Sequence, residues 1–116
     1  MSALFVSSDL MFGSRVSSTA KSLGVPLKIV ADPGILPDVL DDQSRLVIVD
    51  LSQPGLDLGG LVETVRAKAA GCRIIAFGPH VNEAMLGSAK AAGCDAVMPN
   101  SQFNQSMGEL LRLCLS

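Results

Sequence analysis

Asp50 is the residue whose type and place most invite chemistry. It closes the apolar run Leu46-Val47-Ile48-Val49 and is followed by Leu51-Ser52-Gln53-Pro54-Gly55. Four β-formers thus carry one carboxylate to the C-terminal end of a strand, ahead of a Pro-Gly turn. In open parallel α/β sheets, sites form just outside those carboxyl ends. Two readings of Asp50 stand side by side: a structural carboxylate accepting hydrogen bonds from Ser7, Ser8 or nearby backbone N–H groups, or a titratable, reactive one. His80, the single histidine, follows the fourth strand at the same end and reads as a solvated loop residue ahead of a catalytic or phosphocarrier one. Cys72 and Cys94 lead into strands at the opposite end, which speaks against nucleophilic roles, and Cys114 lies on an apolar helix stripe. The stretch Ser7-Ser8-Asp9 leading to Met11-Phe12-Gly13 is too poor in glycine to cradle a phosphate. With no Ser/His/Asp or Cys/Arg arrangement in view, the chain does not read as an enzyme.

The elements that must position these residues follow from periodicity. Short β-rich runs at 3–7, 27–31, 46–50, 73–77 and 96–98 alternate with helical patterns. Phe12, Val16, Ala20 and Leu23 form one stripe, closed by Gly24 and followed by Pro26. Leu58, Leu61, Val62, Val65 and Ala69 form another, with Asp57 to cap it and Gly71 to end it. Asn82 caps a helix running through Leu86 and Ala89 to Gly93, and Ser101 is expected to cap the last one, with Phe103, Met107, Leu110, Leu111 and Cys114 on one face. The second helix is the least marked, over 37–42. Gly59-Gly60 at a helix start either admits a close approach or loosens the first turn. Lys68-Ala69-Ala70-Gly71-Cys72 and Lys90-Ala91-Ala92-Gly93-Cys94 each end a helix and enter a strand, the same structural need met twice. Five βα units in this order imply an α/β, flavodoxin-like (βα)5 three-layer sandwich, with a parallel five-stranded sheet of order 2-1-3-4-5.

Composition sets the bounds. At 116 residues, 48% of them hydrophobic, residues 1–116 make a single domain with one filled core. Nine Lys and Arg against eleven Asp and Glu give a net charge of -2, with no basic run, which argues against nucleic acid as a partner. The N-terminus lacks the basic start and apolar core of a signal peptide, and no apolar stretch is long enough to cross a bilayer. Three cysteines without a CxxC suit a reducing compartment, so the expected location is the cytoplasm.

On these residues the chain resembles response-regulator receiver domains of the CheY-like family over essentially its whole length. Val49-Asp50-Leu51-Ser52-Gln53-Pro54-Gly55 is similar to the phosphoacceptor strand and its turn, with Asp50 at the acceptor position. Leu4-Phe5-Val6-Ser7-Ser8-Asp9 resembles the first strand, whose pattern usually ends in two acidic residues; those positions fall on Ser7 and Ser8. Ile74-Ile75-Ala76-Phe77-Gly78 resembles the fourth strand, with Gly78 where a Thr or Ser normally stands. Gly93 to Asn100 resembles the fifth, with Val97 at the switch aromatic and Asn100 at the usual Lys. Of the five signature functional positions Ser7, Ser8, Asp50, Gly78 and Asn100, only Asp50 is retained.

What the resemblance implies is therefore a degenerate member, a pseudo-receiver. Magnesium wants hard, charged oxygens, and Ser7 and Ser8 remove two negative charges from that set. Asp9, two residues beyond Ser7, could substitute only in part. Each lost electrostatic element could cost about 3 kcal/mol of transition-state stabilisation. Expected, then, are no resident cofactor, weak or absent magnesium binding, and little aspartyl phosphorylation. The function would be protein–protein interaction in two-component-type signalling, with a signalling partner or a fused output or kinase domain. A homodimer would use the face of the fourth helix, fifth strand and fifth helix, drawing on Glu83, Ala84, Gly87, Lys90, Ala91 and Arg112. The alternatives are a phospho-accepting receiver or phosphorelay member using Asp50 in an unorthodox site, and a small flavodoxin-like ligand-binding or enzymatic domain.

Overall fold

Every expected strand forms, within a residue or two of its expected bounds, because each is a run of apolar β-formers bounded by turn residues. The computed structural model describes residues 1–115. In chain order the elements are β1 (Ser2–Val6), α1 (Leu10–Leu23), β2 (Leu27–Val30), a 3₁₀ turn (Pro33–Ile35), α2 (Leu36–Val39), β3 (Ser44–Asp50), α3 (Leu58–Lys68), β4 (Arg73–Gly78), α4 (Glu83–Ala91), β5 (Ala96–Pro99) and α5 (Asn100–Arg112), with a last 3₁₀ turn (Leu113–Leu115). The sheet is parallel, in the order β2-β1-β3-β4-β5.

Alternation along the strands divides the interior into two layers. Leu4, Val6, Val47, Val49, Ile74 and Ala76 pack under α2, α3 and α4, through Leu36, Leu61, Val65 and Ala89. Ala3, Phe5, Leu46, Ile48, Ile75, Phe77 and Met98 pack under α1 and α5, through Val16, Ala20, Phe103, Met107 and Leu111. All four phenylalanines gather in this second layer. Phe77 and Phe103 stack with ring centroids 4.1 Å apart, Phe5 lies parallel to both, and Phe12 leans against Phe77 at 5.1 Å. Burying a side chain of this size contributes roughly 1.5–3 kcal/mol, so the stack anchors α1 and α5 to the sheet.

Capping fixes where the helices start. Asp9, Asp57 and Asn82 each accept backbone N–H groups at the entries to α1, α3 and α4. Gly24 closes α1 with φ 73°, in the left-handed region that favours glycine. The Gly59-Gly60 pair has a steric reason at its second member: a Cβ on Gly60 would stand 2.5 Å from the capping carboxylate of Asp57.

Four expectations need correction. The second helix begins earlier than 37–42, because Asp32 caps a 3₁₀ turn led by Pro33 and Leu40 is already extended. Ser101 does not cap α5. Pro99 pairs with Gly78 as the last rung of the sheet, so the helix starts at once, at Asn100. Helix α3 stops at Lys68 rather than running to Gly71, where a tight turn (Cys72 N–H to Ala69 O, 2.8 Å) feeds β4. The two KAAGC segments consequently solve different problems, since Gly93 adopts φ 100° after α4 while Gly71 has no positive φ.

Candidate functional site

The sheet brings Ser7 and Asp50 together. Val6 aligns with both Val30 and Val49, so the chain leaving β1, β2 and β3 emerges at one level. Asp50 continues the row of Leu46 and Ile48, and Ser7 continues that of Ala3 and Phe5, which places both side chains over the α1/α5 layer. The Ser7 hydroxyl donates to Asp50 Oδ2 at 2.7 Å and accepts from the Asp9 N–H at 3.0 Å. The Ser52 N–H donates to Asp50 Oδ1 at 2.9 Å. Asp50 is 7% exposed and Ser7 1%. Both carboxylate oxygens are therefore engaged by neutral donors, in a nearly closed setting where such bonds count most.

The residue that sequence reasoning passed over is Gln53. It is buried, and its side-chain amide bridges the chain segments that follow β1 and β2. Oε1 accepts the Ser8 N–H at 2.5 Å, while Nε2 donates to Ala31 O at 3.2 Å and Pro54 O at 3.4 Å. Its partners are 45 and 22 residues away along the chain, and nothing local marks it beyond a polar residue inside a turn segment.

The remaining expected residues scatter around this knot. Ser8 is exposed and contributes its backbone N–H to Gln53 rather than its hydroxyl to Asp50. Asp9 is exposed and spends Oδ1 on the N–H groups of Met11 and Phe12, capping α1. Asn100 is half-buried in the first turn of α5. Val97 packs against the α2/α3/α4 layer, away from the Ser7–Asp50 pair. At Gly78 a Cβ would meet Leu51 Cβ and Met85 Sδ, each at 3.3 Å, so apolar groups already crowd the place of the expected hydroxyl. His80 is exposed on the loop after β4.

Magnesium, which the resemblance implies for such a pocket, takes near-octahedral oxygens with one or two carboxylates among them. Here Asp50 is the one carboxylate at the pocket floor, the Ser7 hydroxyl is turned toward it as a donor, and the Asp9 carboxylate is turned toward the α1 amides. That donor set does not fit the ion without rearrangement. Among the described residues no group of three or more His, Cys, Asp or Glu could hold a metal.

The thiols lie elsewhere and are quiet. Burial pushes the Cys72 thiol up to about 11, with Arg66 pulling it down and Asp95 adding to the rise. Burial and then Asp95 raise Cys94, and burial raises Cys114. A thiol held protonated is a poor nucleophile.

The opposite end of the sheet carries a different polar knot. Arg66 reaches both oxygens of Asp95 at 3.1 Å and also donates to Cys72 O and Gly93 O. Asp95 Oδ2 in turn accepts the Ile74 N–H at 2.7 Å. It ties α3 to the starts of β4 and β5.

No protein-family model matches the chain, and no curated protein matches it in sequence. Solved structures do. The chemotaxis response regulator CheY4 of Vibrio cholerae is similar with a TM-score of 0.79 at 17% identity, covering 97% of each chain. A response regulator signal receiver domain from Bermanella marisrubri gives 0.76 at 20%, covering 100% of each. The receiver domain of a sensor histidine kinase from Pseudomonas aeruginosa, with a magnesium ion coordinated in its active site cleft, gives 0.76 at 18%, covering 99% of this chain and 98% of that one. At such identities the likeness is one of architecture, and it extends end to end. The chain thus has the fold seen in CheY-like receiver domains.

Proposed function

We propose that this chain is a pseudo-receiver: a receiver fold serving two-component-type signalling in the cytoplasm through protein–protein interaction, with little or no metal-dependent phosphorylation of Asp50 and no catalysis of its own. The observation that carries the reading is the state of Asp50, whose two oxygens are taken by the Ser7 hydroxyl and the Ser52 N–H. A phosphoryl acceptor needs nearby positive charge to stabilise what builds up on transfer. Neutral donors at Asp50 and the apolar fill at Gly78 supply none. The partner is a signalling protein or a fused output or kinase domain. The proposed surface is the α4–β5–α5 face, where Glu83, Ala84, Gly87, Lys90, Ala91 and Arg112 are exposed, and a homodimer would use the same face.

An intact-mass time course with acetyl phosphate and magnesium, run beside Asp50→Asn, tests the reading. No adduct is expected in either protein. A phosphoryl adduct present in the wild type and missing from Asp50→Asn would replace this reading with a phospho-accepting receiver.

A further inference from the structure

We infer that Gln53 is a built-in strap, holding the segments after β1, β2 and β3 in one fixed arrangement without any ligand. The inference deepens the pseudo-receiver reading and rests on it for its meaning, though not for its geometry. Three segments meet at this end of the sheet, and one buried carboxamide touches all of them: Ser8 after β1, Ala31 after β2, and Pro54 beside itself after β3. A carboxamide suits the task because it donates and accepts from one planar group. It can bind an N–H and a C=O at once, where a carboxylate could serve only the N–H and an ammonium only the C=O.

Ser7 and Asp50 complete the arrangement from below. The hydroxyl passes a chain of bonds from the Asp9 N–H to Asp50 Oδ2, and Asp50 Oδ1 fixes Ser52, the neighbour of Gln53. Asp50 O also accepts the Gln53 N–H at 3.1 Å. Among the described residues no buried side-chain nitrogen or oxygen lacks a partner, so every polar atom of the knot is engaged. A cation entering at Asp50 would have to break bonds already made, for a donor set poor in charge. Gln53 is thereby a positioning residue for the rim above Asp50, and the rim is set rather than switched.

Amide hydrogen exchange, read residue by residue in the wild type, Gln53→Met and Gln53→Glu, with and without magnesium, tests the strap. Gln53→Met keeps the length and apolar stem while losing both ends of the bridge. It is expected to speed exchange at the Ser8 N–H about tenfold, with the amides inside β1 and β3 unchanged. Gln53→Glu keeps an acceptor for Ser8 and loses the donor to Ala31, so Ser8 should stay protected while the amides of Ala31, Asp32 and Gly34 exchange faster. Magnesium should alter none of these rates. Unchanged Ser8 exchange in Gln53→Met would overturn the strap, as would magnesium slowing exchange at Ser8 or Ser52 in the wild type. An acetyl phosphate adduct on the same wild-type sample would sink the interaction reading alone, since fast Ser8 exchange in Gln53→Met would still uphold the strap.

Discussion

The two ends of the sheet each carry an aspartate that knots several segments together, one buried and one exposed, and they do it with opposite electrostatics. At the strand N-terminal end, Asp95 pairs with the Arg66 guanidinium, the one salt bridge among the described residues, with side chains 37% and 43% exposed. At the C-terminal end, Asp50 is 7% exposed and meets only a hydroxyl and a backbone amide. The end where a receiver would handle a phosphoryl group thus holds no cation against its carboxylate, whereas the end remote from it does. A charged pair in the open is worth little and is screened by salt, while neutral bonds in a closed pocket are costly to orphan. The contrast sets an exposed knot built on a cation against a buried one built on neutral donors.

Breaking each knot in turn should rank them. Asp50→Ala orphans the Ser7 hydroxyl and the Ser52 N–H and is expected to cost about 2–3 kcal/mol by urea denaturation. Asp50→Asn should cost visibly less, since its Oδ1 can still face Ser52. Equal losses for the two variants would mean that the carboxylate's charge, not its bonding, holds the pocket. Next in size is Gly78→Thr, which places a Cβ against Leu51 and Met85 at 3.3 Å. Overpacking of this kind costs about 1–3 kcal/mol, and thermal unfolding would register it. Were Gly78→Thr neutral, the apolar fill would have room to yield and the place where a receiver carries Thr or Ser would be only nominally blocked.

The far knot should give way more gently. Asp95→Ala removes the acceptor of the Ile74 N–H together with an exposed ion pair, for about 1–2 kcal/mol, of which only the ion-pair share should shrink in high salt. A salt-dependent loss at Asp50→Ala instead would reverse the comparison. The smallest effect concerns pH. The folded state holds the Cys72 thiol protonated up to about 11 against 9.0 for an ordinary thiol. Its contribution is therefore complete below pH 9 and is lost as pH rises toward 11. The alkaline fall in stability should flatten in Cys72→Ala, and an unchanged slope would place its cause in another group.

How much of this could be read from the chain depends on the range of the interaction. Strands and helix entries were legible because their causes are local: a run such as Leu46-Val47-Ile48-Val49 fixes a buried strand, and Asp57 or Asn82 caps the helix that follows within three residues. Sheet order followed from the βα rhythm. Where two local signals competed, the reading slipped: Ser101 looks like a cap until Pro99 is seen paired to Gly78 in the sheet. Two glycines in identical KAAGC contexts took different backbone conformations because one follows α4 directly and the other follows a separate turn. The Ser7–Asp50 contact is one of the two roles that the sequence offers Asp50. Gln53 was not, because its meaning lies in residues 45 and 22 positions away and appears only when three strand ends are aligned.

The most direct test of the central claim is a magnesium titration of isotopically labelled protein, following the amides of Ser7, Ser8, Ser52 and Gln53, beside the triple variant Ser7→Asp, Ser8→Asp, Asn100→Lys. These amides should stay fixed in the wild type through millimolar magnesium, and the triple variant, with carboxylates placed around Asp50, should show saturable shifts at the same places. Saturable shifts in the wild type would contradict the claim, for they would mean that Asp50 releases its neutral partners for a cation and that the pocket still works as a receiver's.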